Sequence, residues 1–193
     1  TVNGLTAGNT YVFKWTISNG TCTASIANDT VYNYAQPSTA TASNQRVCDT
    51  PKVVLGGSNP SVGTGKWTWV SGPSTLLPNN PNLYNSEVDG LLTGMYVFKW
   101  TISNGTCTAS TVNDTIYNYA QPNTATASTQ KVCNGTTATL NAAVPTAPAT
   151  RVWTQTSGPN TASIANVNVY NSGISSLTTG VYVFKWTISN GTC

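Results

Sequence analysis

The chain repeats itself, and the repeat limits what it can fold into. The segment Trp15-Thr-Ile-Ser-Asn-Gly-Thr-Cys22-Thr-Ala-Ser25 recurs unchanged from Trp100 to Ser110, and its first eight residues recur from Trp186 to Cys193. The spacings are 85 and 86 residues. A second block, Tyr32-Asn-Tyr-Ala-Gln-Pro37, returns at Tyr117 to Pro122. Ala40 to Ser43 with Val47-Cys48 returns as Ala125 to Ser128 with Val132-Cys133, and Ser71-Gly-Pro73 returns as Ser157 to Pro159. A period of about 85 residues suits a small sandwich domain. With the Gln-Pro junction as the boundary, 1–36 is the C-terminal part of one repeat, 37–121 is a complete repeat, and 122–193 lacks only its last strand. That phase predicts a window from a longer tandem array.

The pattern inside the repeat is that of strands. Tyr96, Phe98, Trp100 and Ile102 alternate with Val97, Lys99, Thr101 and Ser103, the period of a strand with one buried face. Asn104-Gly105 follows, a dipeptide that accepts the two positive φ values of a type I′ hairpin turn. Thr106 to Ser110 and Thr115 to Ala120 then read as the return strand. The same hairpin is expected at 11–25 and begins again at 182–193. Lys52 to Leu55, Thr137 to Leu140, Gly65 to Val70 and Arg151 to Thr156 complete the readable strands. No helical periodicity emerges, so the fold class is all-β, in tandem immunoglobulin-like β-sandwich repeats. Trp67 and Trp153 are expected to face Trp100 and Trp186 across the sheets.

Composition excludes most chemistry. Charged residues are 7% of the chain, against roughly 25% in ordinary domains. Thr (34) and Asn (22) fill the polar surface instead. There is no His, which removes the commonest general base and zinc ligand. Five scattered carboxylates make neither an acid–base pair nor a calcium cage, so the reading is of no enzyme, no metal and no cofactor. Eight dispersed cations form no basic stripe, against a nucleic-acid partner. No apolar run approaches the roughly 18 residues of a membrane span, and no signal peptide opens the chain.

The five cysteines suggest a framework. Cys48 and Cys107 are 59 residues apart, and Cys133 and Cys193 are 60 apart, each pair within one repeat. The favoured expectation is Cys48–Cys107 and Cys133–Cys193, with Cys22 paired to a cysteine outside the chain. The rival pairing, Cys22–Cys48 and Cys107–Cys133, has separations of 26 residues. Disulfides imply an oxidising compartment, hence export.

These residues resemble the immunoglobulin-like repeats, related to PKD domains, of giant Bacteroidota surface proteins. The resemblance is carried by Val47-Cys48, Gly65-x-Trp67, Ser71-Gly-Pro73, the run from Gly94 to Cys107, and Asn113-Asp-Thr-Ile116. It implies secretion by the type IX route, cell-surface anchoring, and stalk or adhesin roles such as those of gliding-motility adhesins. PKD domains often carry a Trp-x-Phe-Gly-Asp-Gly stretch. Here Trp67-Thr-Trp-Val-Ser-Gly-Pro73 stands in its place, which removes support for an acidic or calcium-linked role.

Asp29-Thr30-Val31 and Asp114-Thr115-Ile116 fit the Asp-Ser/Thr-aliphatic pattern at which such bacteria O-glycosylate exported proteins, which marks Thr30 and Thr115 as candidate glycosylation sites. Trp69 has Gln155 as its counterpart, so the fold does not require it, and it is the candidate exposed aromatic contact. Lys14, Lys99 and Lys185 are expected to be solvated rather than joined in isopeptide bonds. The functional expectation is the shaft of a long, secreted cell-surface adhesin or filament, with neighbouring repeats as partners and surface polysaccharide as a further candidate. The alternatives are a carbohydrate-binding repeat module or a linker array of an exported enzyme.

Overall fold

The computed structural model describes residues 1–146 and 148–193, and among these all regular structure is β. The strands in chain order are β1 (Asn9–Ile17), β2 (Ser25–Asn33), β3 (Gln45–Cys48), β4 (Lys52–Val54), β5 (Thr64–Ser71), β6 (Glu87–Asp89) and β7 (Gly94–Ser103). They continue as β8 (Ser110–Tyr119), β9 (Ala138–Thr139), β10 (Thr150–Ser157), β11 (Ser163–Ile164), β12 (Gly173–Ser175) and β13 (Val183–Ser189). In the middle repeat one sheet has the order β3-β8-β7-β5 and the other pairs β4 with β6. This is the expected all-β, immunoglobulin-like sandwich.

The alternation read from the sequence is the alternation of burial. Tyr96, Phe98, Trp100 and Ile102 of β7 are all fully buried, and Lys99 between them is exposed. Trp67 of β5, Ile116 of β8, Val53 of β4 and Val88 of β6 are buried with them. The last repeat builds a matching core from Leu140, Trp153, Ala162, Ile174, Leu177 and Trp186.

The tryptophans correct one expectation. Trp67 and Trp100 do not face each other across two sheets. They stand directly opposite on the neighbouring antiparallel strands β5 and β7, with ring centroids 4.9 Å apart and planes tilted by 38°. Trp153 and Trp186 repeat the arrangement on β10 and β13, at 4.9 Å and 40°. Cross-strand neighbours on one face are close enough for such ring contacts. Each indole N–H also finds a main-chain carbonyl: Trp67 donates to Tyr84, Trp100 to Ser58, Trp153 to Val169 and Trp186 to Ala143, at 3.0–3.2 Å. Large rings are thereby buried without orphaning a donor.

The first hairpin has no such core. β1 and β2 pair only with each other, in an unbroken register from Asn9↔Asn33 to Ile17↔Ser25. Trp15, in the same sequence as Trp100, is 69% exposed. Identical residues thus make the same hairpin but differ in burial, because burial needs the rest of a repeat around them.

By compactness the chain forms two units. One comprises Thr1–Gln45, Pro51–Leu91 and Met95–Ile116; the other comprises Arg46–Thr50, Leu92–Gly94 and Tyr117–Cys193. Each unit gathers residues from more than one sequence repeat, and the second draws 46–50 and 117–121 of the middle repeat together with 122–193.

The pairwise burial makes a direct prediction. Trp100→Ala should cost about 3–5 kcal/mol in urea unfolding, the usual range for deleting a buried large aromatic. Trp15→Ala, at the corresponding exposed position, should change stability by less than about 0.5 kcal/mol.

Candidate functional site: the junction between repeats

The recurring Asn-Gly-Thr-Cys segment builds a four-residue turn three times. The amide of Cys22 donates to the carbonyl of Asn19, that of Cys107 to Asn104 and that of Cys193 to Asn190, at 3.1, 3.1 and 2.9 Å. Only the glycine is left-handed, with φ of 56° at Gly20, 54° at Gly105 and 57° at Gly191. The expected type I′ turn, which needs two positive φ values, is therefore not formed. The return strand correspondingly begins at Ser110, with Thr106 to Ala109 left in the loop.

In the two later turns the asparagine has a second task. The Asn104 side-chain amide donates to the Ala35 carbonyl at 2.8 Å, and the Asn190 amide donates to the Ala120 carbonyl at 2.9 Å. Ala35 and Ala120 follow the last strands of the preceding repeats. These two turns thus grip the end of the repeat before them. The neighbouring glycine makes this approach possible. A Cβ on Gly105 would stand 2.3 Å from the Tyr34 ring, and one on Gly191 would stand 2.4 Å from the Tyr119 ring. At Gly20, among the described residues, a Cβ would meet nothing within 4 Å.

The cysteines meet at this junction. Cys48 is bonded to Cys193, with Cα atoms 5.0 Å apart and a sequence separation of 145. This corrects the expected Cys48–Cys107 and Cys133–Cys193 pairs, and the rival 26-residue pairing is not formed either. Cys22, Cys107 and Cys133 carry free thiols. The strand order explains the outcome. β3 lies beside β8 and delivers Cys48 to the far end of that strand, where the Asp49 amide donates to the Tyr119 carbonyl at 2.8 Å. Arg46 stacks 5.3 Å above the Tyr117 ring and donates to the Tyr119 hydroxyl at 3.4 Å. Cys48 Sγ lies 3.0 Å from Oε1 of Gln121. Cys107, by contrast, precedes the first residue of β8. The ten residues of β8 are about 30 Å of extended chain, too long for one disulfide to span. Closing a 145-residue loop is worth about 5 kcal/mol on the chain-entropy model.

The corresponding first strand of the last repeat shows what the ladder contributes. Gln130-Lys-Val-Cys133 matches Gln45-Arg-Val-Cys48, yet only the latter is a strand. β8 supplies the ladder partner for β3, whereas among the described residues no strand pairs with Gln130 to Cys133. Cys133 is exposed.

The other candidate residues lie apart from the junction turn. Trp69 is half-buried rather than exposed, and its Nε1 is enclosed without a partner. Residues two apart on a strand share a face, so Trp69 follows Trp67 toward the core. Its counterpart Gln155 turns onto its own loop, donating to Asn160 O at 2.7 Å and accepting from the Ala162 amide at 2.8 Å. Thr30 is exposed on β2; Thr115 is half-buried on β8, which is paired on both sides. Asp114 is fully buried, and burial pushes its carboxyl above the usual range against the opposing pull of the Gly56 amide, 3.2 Å away, and the Gln45 side chain. Lys14, Lys99 and Lys185 are exposed. In the first hairpin Phe13, not Lys14, is opposite Asp29, so the lysine and aspartate point to opposite faces. Glu87 and Asp89 are held by Lys52 at 2.9 and 3.6 Å.

Sequence reading missed the turn asparagine and the Tyr-Ala pair it meets. The signal was the joint recurrence of Ser-Asn-Gly-Thr-Cys and Tyr-Asn-Tyr-Ala-Gln-Pro at one spacing. No protein-family model matches the chain, and no curated protein matches it. Among solved structures it is similar to the PKD domain of the KIAA 1837 protein, at 19% identity and a TM-score of 0.38, over 42% of this chain and 86% of that one. It is also similar to the insect immune protein hemolin, at 11% identity and a TM-score of 0.36, over 92% of this chain. The match spans 55% of the hemolin chain.

The junction geometry separates three otherwise equivalent glycines. Gly20→Ala should cost about 1 kcal/mol, the price of a left-handed alanine alone. Gly105→Ala and Gly191→Ala should each cost about 2–4 kcal/mol in the same urea titration, because the added methyl group must also displace a tyrosine ring.

Proposed function

We propose that this chain is part of the shaft of a long, exported cell-surface adhesin or filament, and that its work is mechanical. The observation that carries this reading is the junction: one turn motif, used again in successive repeats, fastens each repeat to the end of the one before. A binding or catalytic module has no need of such a device at every period, whereas an array that transmits tension does. Stacked repeats that contact their neighbours gain stability and stiffness from those contacts.

Several further features support the same reading. A disulfide favours an oxidising compartment, in keeping with an extracellular location. The surface is rich in Thr and Asn and poor in charge, which suits an exterior protein. Repeats bounded at 36/37 and 121/122 would each add a few nanometres to a spacer that holds a distal tip away from the cell. The tip, rather than these repeats, would meet surface polysaccharide or another adhesion substrate. Export by the type IX route, a part in gliding motility, and O-glycans on Thr30 and Thr115 belong to this proposal through the family resemblance. We assign the segment no reaction and no cofactor.

The test is the size and shape of the intact polypeptide that carries this segment, released from cells and imaged by electron microscopy. A very large chain seen as a thin filament is the expected result. A modest chain with two or three repeats beside a compact globule would overturn the reading in favour of a linker array.

A further inference from the structure

The bond between Cys48 and Cys193 is one instance of a pattern whose other members are visible as unpaired halves. Two kinds of cysteine recur: a first-strand cysteine, Cys48 and Cys133, and a turn cysteine, Cys22, Cys107 and Cys193. The observed bond joins the first-strand cysteine of one repeat to the turn cysteine of the next.

Cys107 stands in the setting that Cys193 occupies. Cys193 Sγ lies 3.4 Å from the Tyr119 carbonyl, in a turn anchored by Asn190 on Ala120. Cys107 Sγ lies 3.5 Å from the Tyr34 carbonyl and 3.4 Å from the Ala35 carbonyl, in a turn anchored by Asn104 on Ala35. The tyrosine ring packs on the turn glycine in both places. What Cys107 lacks is only the first-strand cysteine that Cys48 supplies to Cys193. Cys133 is the complementary half. It is followed by left-handed Asn134 (φ 52°), as Cys48 is followed by left-handed Asp49 (φ 43°), so the local turn that presents the thiol is retained.

We propose that every junction of the array is closed by a disulfide between the first-strand cysteine of one repeat and the turn cysteine of the following repeat. Cys107 is then the acceptor for a cysteine of the repeat upstream, and Cys133 the donor to a turn downstream. Each closure joins two thiols. Both lose their protons, and two electrons pass to the disulfide of a thiol–disulfide oxidoreductase, which is released as a dithiol. The result is a staggered series of staples, each crossing one repeat boundary. This inference rests on the tandem-array reading but not on the shaft role, since a short linker array would carry the same staples.

The test adds one repeat to the full chain by duplicating residues 37–121 in tandem, followed by oxidation, alkylation of free thiols, tryptic digestion and mass spectrometry without reduction. The Cys107 peptides of the two copies differ in mass, because Gln121 is followed by Pro37 in the first copy and by Pro122 in the second. The expected result is the Cys48 peptide linked both to the second-copy Cys107 peptide and to the Cys193 peptide. Alkylated thiols should then appear at Cys22, first-copy Cys107 and Cys133. Cys48→Ser in the first copy alone should release second-copy Cys107 and leave the Cys193 link intact. Cys48 linked to Cys107 of its own copy, or second-copy Cys107 found alkylated in the unsubstituted chain, would overturn the proposal. Survival of the Cys193 link reports that the junctions have folded, so a failure of the staple pattern is distinguishable from a failure of the array.

Discussion

The structure depends on how a strand end is finished. A backbone carbonyl at the end of a sheet needs a donor, and leaving it unpaired in a partly buried place is costly. At Ala35 and Ala120 the donor is the asparagine side chain of the next repeat's hairpin turn. The fold of one repeat is thus completed by a residue that lies about 70 positions further along the chain. The glycine beside that asparagine leaves room for the tyrosine ring, Tyr34 or Tyr119, at the end of the preceding repeat. Hydrogen bond, ring contact and, at one junction, a disulfide act on the same few residues. That concentration makes the turn and the strand end it meets a built site.

Much of this fold was legible from the residues. The 85-residue period, the strand alternation from Tyr96 to Ile102 and the recurring tryptophans led to an all-β sandwich with the observed core. The direction of each tryptophan was less legible. Residue periodicity says which face a side chain takes but not whether its partner is on the neighbouring strand or the opposite sheet, and here register decided for the neighbour. Trp69 was read as exposed because its counterpart is Gln155, although the same periodicity sets it on the face of Trp67, where it is half-buried.

The disulfide was not legible, for a reason that can be stated. Sequence separation favoured pairing within a repeat, since 59 and 60 residues recur so regularly. Pairing is set instead by which end of β8 each cysteine reaches. β3 carries Cys48 to the Tyr119 end, while the β7–β8 turn leaves Cys107 at the other. Asn104-Gly105 was likewise read as a pure turn signal, because nothing local reveals that its side chain is spoken for by Ala35. The contrast between strand β3 and the unpaired Gln130 to Cys133 makes the same point: tertiary pairing, not the tetrapeptide, decides whether Gln-Arg/Lys-Val-Cys becomes a strand.

The first hairpin shows the same dependence from the other side. It repeats the most apolar part of the array with its ladder intact, yet Trp15, Ile17 and Ile26 remain exposed. Strand pairing is local and survives alone; burial and the junction grip are shared between repeats. Coupling of this kind gives an array whose stability grows with the number of contacts between neighbours.

The central claim, that consecutive repeats are fastened at their junction, is tested most directly by stretching single molecules of the chain from its two ends. The intact chain and Cys48→Ser are compared at full extension without reductant. A bond from Cys48 to Cys193 hides 145 residues from the load, so the variant should extend about 500 Å further. A gain of about 200 Å, the length of a 59-residue loop closed within one repeat, or no gain at all, would contradict the account.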